Sequence, residues 1–497
     1  MSFAASFIIY LVLALLIDAL AVPRGRFARR PPWALAMAVL TFTWLYAAWF
    51  AVSWRPVFAA SAGLVAFALL TIISNHKFRY TQEPLNFMDF VLVPQIWRHP
   101  HLYQAEFLRH PLLFAGVAAV FGYIAFWCHV FEPSMLPDEH FWDRAVPLGV
   151  LVAAIVGWIV IGPVPASLSD RLQRRMTPAD STRDVRDLGL AASLVAGLLA
   201  WRRVTASPRT GLAAPAGKLA LEPPPIVIAV QSESFVDLQR AGLRDIALPA
   251  LAAARAHAVA HGRVRVPVQG AWTLRSEFVF LSGRPLETFG LDALHPYLRL
   301  PAPPRTLAHL LRDAGFATMF VHPYDLRFFN RRGAMPKLGF DRLLGEEDFA
   351  EASRDGYFVP DMAVVERVLS VAGNERRPFF GMVATMENHH PWDKNRMPGG
   401  KTPVEQYVHH LHNADRMIAR LVAGIENLGR PAVLAFYGDH VPALPALADP
   451  FPDPRTDYFV MGLRDGTWLA GEHRDRELHE LADVILGTLG KVCASRI

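Results

Sequence analysis

The chain has 497 residues, too many for one ordinary hydrophobic core, so at least two domains are expected. Its apolar fraction is 52% and only 19% of residues are charged, which is lean for a soluble enzyme. The net charge of +5 comes almost wholly from Arg, with no dense Lys/Arg stripe interleaved with aromatics. That pattern excludes a nucleic-acid binder and fits a protein meeting anionic headgroups. The two cysteines, Cys128 and Cys493, exclude a disulfide framework and a Cys-based metal site.

The apolar excess sits at the front of the chain. Residues 2–22, 33–53, 56–74, 111–130 and 145–166 each approach the ~20 residues that a ~30 Å hydrocarbon layer demands. The first lacks a basic leading region and is followed by further spans, so it reads as a span and not a cleaved signal. Asp18, near its end, is expected at the membrane interface. Between the third and fourth stretches, "NHKFRYTQEPLNFMDFVLVPQIWRHPH" mixes aromatic, basic and apolar residues and reads as an interfacial segment.

Residues 1–166 are thus expected to form a polytopic α-helical membrane domain of about five helices. Residues 167–222 read as a connector. It holds a charged run, the short helix-forming "LGLAASLVAGLLAW", expected at the membrane surface, and "TASPRTGLAAPAGKLALEPPP", which has linker chemistry. Residues 223–497 change texture. Short β-rich runs alternate with helical patterns, which marks an α/β domain with a central, mostly parallel sheet.

Five runs read as strands: "IVIAV" (226–230), "RVRVPV" (263–268), "ATMFV" (317–321), "FFGMVAT" (379–385) and "VLAFY" (433–437). Helical patterns separate them, the longest being "VEQYVHHLHNADRMIARLVAGIENLG". Open α/β sheets bind ligands beyond the carboxyl ends of their strands. Those ends lead to Glu233, to Thr273, to His322 with Asn330 and Arg331, to Glu387 through His390, and to Asp439 and His440. Each polar residue alone is an ordinary loop residue, and Thr273 alone is an ordinary helix N-cap. Five such endings on one sheet edge point to a site.

Glu233, Asp439 and His440 offer two carboxylates and an imidazole, a hard and borderline set that suits Mn²⁺, Mg²⁺ or Zn²⁺. The Thr273 hydroxyl is inert at its own pKa, and coordination to a dication would favour its alkoxide and make it a nucleophile. Its place at the start of a helix adds backbone N–H groups for a tetrahedral oxyanion. Arg331 offers a planar fork for phosphate oxygens. His322 and His389 are candidates to bond the substrate or move a proton.

"QSESF", "WTLRSEF", "HPYDLRFFNRR", "NHHPW" and "YGDH", together with five spans ahead of the α/β domain, resemble the lipoteichoic acid synthase and membrane phosphoglycerol transferase family of the alkaline phosphatase/sulfatase superfamily. The resemblance implies an alkaline phosphatase-like (sulfatase) fold. It implies one divalent ion, most often Mn²⁺, on Glu233, Thr273, Asp439 and His440. Thr273 would attack phosphatidylglycerol, release diacylglycerol and hold glycerol phosphate for a hydroxyl acceptor. That acceptor would be a periplasmic glucan or a polyol-phosphate polymer such as lipoteichoic acid. His322, Phe329, Arg331 and His389 would line the headgroup pocket. Phe329 stands where the family often has Trp, and His390 where Tyr is more common.

The resemblance also implies a multi-pass protein of the bacterial inner membrane with its catalytic domain on the outer side. Five spans would then place the basic first loop, "PRGRFARRPP", outside, against the usual preference of such loops for the cytoplasm. Three other readings compete. A sulfatase needs Cys or Ser in a Cys/Ser-x-Pro-x-Arg context, which "WTLRS" lacks. A phosphoethanolamine transferase also uses Thr but tends to be rich in disulfides. A binding protein without activity is the third, and the retained ligands count against it.

Overall fold

The computed structural model describes residues 2–99, 102, 111–136, 141–177, 179–202, 212, 223–299, 303–354, 356–392, 396–397 and 402–494. The chain divides into two compact units, Met1–Thr205 and Ala206–Ile497. Most of the Pro- and Gly-rich stretch 204–224 falls outside the described residues.

In the first unit, helices α1 (Phe3–Asp18), α2 (Pro32–Ser53), α3 (Pro56–Thr81), α5 (Pro111–Phe131) and α6 (Phe141–Ile161) coincide with the five apolar stretches, and α4 (Asp89–Arg98) follows α3. Among the described residues, α2 and α3 are long and apolar enough to cross a membrane, whereas α1 has 16 residues. The packing is inverted relative to a water-soluble bundle. Ser6, Tyr10 and Ala14 of α1 are buried, while Ile8, Ile9, Val12 and Leu16 are exposed. Small residues admit close approach, as in lipid-embedded bundles. A Cβ on Gly63 of α3 would meet the Tyr10 ring at 2.8 Å.

Three more helices, α7 (Ala166–Gln173), α8 (Ser181–Leu188) and α9 (Leu190–Trp201), belong to this unit. The apolar α9 is built into the protein interior of this unit. It packs against α2 and α7 with Leu190, Ala192, Ala196 and Ala200 fully buried. Asp18 packs beside it. It is wholly buried, paired with Arg30 of the basic loop, and accepts the Ala191 N–H at 2.9 Å, so it caps the start of α9.

The second unit is built on β1 (Ile226–Ser232), β2 (Ala260–Arg265), β3 (Ala317–Val321), β4 (Arg342–Leu344), β5 (Phe379–Ala384), β6 (Ala432–Gly438), β7 (Thr456–Arg464) and the two-residue β8 (Thr467–Trp468), β9 (Glu472–His473) and β10 (Arg476–Glu477). The strand order is β10-β2-β7-β6-β1-β5-β3-β4, with β8 on β7 and β9 on β2. The run from β6 to β4 is parallel, and β7 is antiparallel to both β6 and β2. Two reversals therefore return β2 to the direction of β6. The carboxyl ends of β1, β2, β3, β5 and β6 share one edge. The second strand, expected at 263–268, starts three residues earlier because Ala260 already pairs with Val460.

Helices lie on both faces, as a doubly covered parallel sheet requires. On one face, α10 (Pro249–Ala256), α14 (Asp361–Asn374) and α15 (Pro403–Leu428) bury Val365, Val368, Leu411 and Ile418 against Ile226, Ile228 and Phe436. The other face carries α11 (Thr273–Ser282) and α16 (Leu481–Cys493), where Phe280 meets Tyr437 at 4.9 Å. Short helices α12 (Leu307–Asp313) and α13 (Arg331–Ala334) flank β3. The long α15 has its stops written in sequence: a Thr402/Glu405 capping box, Pro403 in the first turn, and Gly429 left-handed at its end.

Candidate active site

Adjacent strands β1 and β6 end side by side, with Ser232 paired to Gly438. Gly438 has to be glycine, because a Cβ there would lie 2.0 Å from the Phe235 carbonyl oxygen. The close approach delivers Glu233 from one strand and Asp439 and His440 from the other. Their ligand atoms all lie within 4.8 Å of one another, and all three residues are buried.

Each side chain is held by bonds that leave its remaining lone pairs facing the others. Asp439 Oδ1 accepts from the Ser234 and His440 backbone N–H groups, both at 2.8 Å. Its Oδ2 is buried and has no hydrogen-bond partner among the described residues. His440 Nδ1 donates to the Val441 carbonyl at 3.0 Å, which leaves Nε2 as a lone pair. That Nε2 stands 3.4 Å from Asp439 Oδ2 and 3.5 Å from Glu233 Oε1. Ser234 Oγ donates to Glu233 Oε1 at 2.9 Å.

Three lone-pair donors turned on one another in a dry site repel. Two carboxylates at this spacing repel by about 3–4 kcal/mol at an effective dielectric of ~20. Burial and the Asp439 charge hold the Glu233 carboxyl well above its usual range, and burial also raises Asp439. A divalent cation removes this conflict, and the donor set and the orphaned Oδ2 both fit one.

Thr273 opens α11, and its hydroxyl donates to Glu233 Oε2 at 3.3 Å. Ser276 Oγ donates to the Asp439 carbonyl at 2.7 Å, which ties the first turn of α11 to the end of β6. The residue before Thr273, Trp272, is left-handed with φ 67 and makes no side-chain cap, while its carbonyl accepts the Arg275 N–H at 2.8 Å. Of the eight non-glycine residues with positive φ among those described, Ser234, Trp272, Phe329 and Asn330 are four. Such backbone clusters where a site is over-determined by its surroundings.

The other candidates fall around this group. His322 Nδ1 donates to the Ala384 carbonyl at 3.1 Å, and its buried Nε2 has no partner among the described residues. Burial and the Arg331 charge push its pKa well down, so the ring is neutral with a lone pair free to accept. His389 donates to the His390 carbonyl at 2.6 Å and is likewise held neutral by burial and by His390. Phe329 stacks on Trp272 at 6.0 Å, with the Arg331 guanidinium 5.4 Å from its centroid.

Arg331 differs from expectation. The edge of its fork is not open to phosphate, because Nε and Nη2 both donate to the Glu277 carboxylate. A guanidinium this buried needs a counter-charge. Glu277 is not among the residues the sequence singles out, although its spacing of one helical turn from Thr273 places it on the same face. Nor is His295, a buried imidazole edge-on to Trp272 and Phe329, with its pKa pushed down to about 4 by burial. No periodic or motif signal marks His295.

A model of the sulfatase family matches residues 225–479. Over 438 residues the chain is 35% identical to the capsular polysaccharide biosynthesis protein RkpI of Rhizobium meliloti (strain 1021), covering 84% of this chain and 80% of that protein. It is 26% identical over 346 residues to a protein of the same organism named "Putative cyclic beta-1,2-glucan modification protein", covering 63% of this chain and 51% of that one. The fold matches the integral membrane protein lipooligosaccharide phosphoethanolamine transferase A of Neisseria meningitidis with a TM-score of 0.52 at 12% identity, over 96% of this chain and 95% of that one.

Proposed function

This chain belongs to the sulfatase family of the alkaline phosphatase superfamily, and on that premise we propose that it is a membrane-anchored phosphoglycerol transferase. The reaction moves glycerol phosphate from phosphatidylglycerol to a hydroxyl of a carbohydrate acceptor in the cell envelope. The observation that carries this reading is the Thr273 hydroxyl, bonded to Glu233 at the rim of a buried Glu/Asp/His group and at the start of a helix.

Glu233, Asp439 and His440, with Thr273 Oγ1, would hold one divalent cation, with Mn²⁺ favoured by the family resemblance. When bound, the cation lowers the pKa of a hydroxyl beside it and screens the charge of a phosphodiester. Thr273 Oγ1 then attacks phosphorus, and the bond from phosphorus to the diacylglycerol oxygen breaks. Glu233 Oε2 is the first acceptor for the threonine proton, which is passed on to the departing oxygen so that diacylglycerol leaves as the neutral alcohol. Glycerol phosphate stays on Thr273 as a phosphodiester until an acceptor hydroxyl attacks and the threonine is restored. The N-terminal end of α11, where Thr273 sits, would favour the phosphoryl charge. Neutral His322 accepts a hydrogen bond from a headgroup hydroxyl through Nε2.

Two apolar helices long enough to cross a bilayer, and the inverted packing of the first unit, support a place in the bacterial inner membrane. The multi-pass arrangement and an outward catalytic unit follow from the resemblance, because the lipid donor is used at the outer face. A carbohydrate acceptor is supported by the names of the two Rhizobium relatives. Sulfate ester hydrolysis is disfavoured by "WTLRS", which offers no formylglycine precursor.

The test uses the full chain in lipid nanodiscs with Mn²⁺, headgroup-labelled phosphatidylglycerol and a β-glucan. Mass spectrometry is expected to find diacylglycerol and a glucan heavier by glycerol phosphate. Transfer from phosphatidylethanolamine in place of phosphatidylglycerol would assign the related phosphoethanolamine chemistry, and no transfer from either lipid would sink the proposal.

A further inference from the structure

The geometry points to Glu277 as a positioning residue that aims Arg331 at the transferred phosphoryl group, an inference that rests on the phosphotransferase reading. Glu277 lies on α11 four residues after Thr273, so its side chain leaves the helix on the face that carries the nucleophile. It is wholly buried, and Arg331 is 1% exposed. The carboxylate receives Arg331 Nε at 3.1 Å and 3.2 Å and also takes Nη2. Tyr297 Oη donates to Glu277 Oε2 at 3.4 Å, and Asn330 Nδ2 donates to the Tyr297 carbonyl at 2.8 Å, so the clamp is itself clamped.

A guanidinium is planar, and its Nε/Nη2 edge is one side of a triangle. With that side spent on Glu277, the plane and rotation of the group are set. The remaining nitrogen, Nη1, must point away from Glu277. Nη1 is buried and has no hydrogen-bond partner among the described residues. The guanidinium lies beside the site: it is 5.4 Å from the centroid of the Phe329 ring, which stacks on Trp272, the residue before Thr273. A buried cationic N–H₂ without an acceptor awaits an anion. The transferred phosphoryl group, which develops charge on its non-bridging oxygens beside Thr273, supplies one. Left-handed Phe329 and Asn330 reverse the chain just ahead of Arg331 and turn it back to meet α11.

The test is a double-mutant cycle on the full chain loaded with Mn²⁺, read by the rise in Tm that inorganic phosphate produces and by the kinetics of diacylglycerol release. Arg331→Gln and Glu277→Gln are each expected to weaken phosphate about tenfold or more. The double variant is expected to be no worse than Arg331→Gln alone, since Glu277 acts through Arg331. Mn²⁺ affinity should be unchanged in all three. Additive losses, or a normal phosphate response in Glu277→Gln, would overturn the inference, and so would a wild-type chain that does not respond to phosphate. If Glu277→Gln does not fold, Glu277→Asp replaces it, with a smaller loss expected from a clamp one methylene too short. The phosphate readout keeps the two ideas separable: a wild-type chain that binds phosphate through Arg331 but releases no diacylglycerol defeats the lipid substrate and leaves Glu277 in place.

Discussion

Thr273 Oγ1 sits 3.3 Å from Glu233 Oε2, although 40 residues and a change of sheet face separate the two in the chain. The hydroxyl donates and the carboxylate accepts, so the nucleophile proposed here is already oriented by a proposed cation ligand. Thr273→Ala removes that oxygen together with one methyl group. Diacylglycerol release is expected to fall by about three orders of magnitude or more, with Tm and Mn²⁺ content near wild type. Thr273→Ser, which keeps the oxygen, should retain measurable release. Normal turnover by the alanine variant would remove Thr273 from the nucleophile's role.

Cation binding is expected to release protons. Glu233 and Asp439 both hold their protons above the ordinary carboxylate range, and a dication competes for the same lone pairs. Calorimetric titration with Mn²⁺ in buffers of different ionisation enthalpy should give enthalpies that vary with the buffer, and affinity should fall as pH is lowered. Excess chelator should stop diacylglycerol release. Buffer-independent enthalpies together with full activity in chelator would argue against a cation at this group.

Acid should destabilise the fold through its neutral histidines. His322 and His389 titrate well below 6.5 when folded and near 6.5 when unfolded. As pH falls below about 6.5 the unfolded chain takes up protons that the folded one refuses, and stability drops by linkage. His322→Asn cannot titrate and keeps a polar side chain, so its Tm should depend less steeply on pH between about 6.5 and 5 than the wild-type Tm does. An identical slope would show that the imidazole is not held neutral.

Gly438→Ala is expected to cost about 1–3 kcal/mol of stability, because the new methyl group meets the Phe235 carbonyl oxygen and forces β1 and β6 apart. The same displacement moves Asp439 and His440, so Mn²⁺ affinity should drop with stability. Retention of both would mean the strand ends relax without disturbing the cluster.

Much of this architecture is legible in the linear chain because it obeys local rules. The buried strands around 226, 317, 379 and 433 are short apolar runs, and the helices Pro32–Ser53 and Pro56–Thr81 are long ones. The long helix from Pro403 carries its own caps. The Asp439–His440 doublet after a glycine stands out as polar chemistry at the end of an apolar run. β7 was missed although Tyr458, Phe459 and Val460 give it strand texture, and the tiny β8, β9 and β10 have no periodicity to read. The contact between Asp18 and the apolar helix from Leu190 is not legible there, because a carboxylate that bonds a helix start 173 residues away leaves no mark on its neighbours in sequence.

Pattern and motif therefore named the chemical groups, since hydrophobic period and residue type act over a few neighbours. Only the folded chain decided which atoms of those groups are spent and which stay open. Two reversals through β7 bring the end of β2 to the common edge, and Glu277 takes the fork of Arg331 and leaves one nitrogen. Those outcomes depend on contacts between residues far apart in the chain, and buried charges choose such partners only when the core has closed around them.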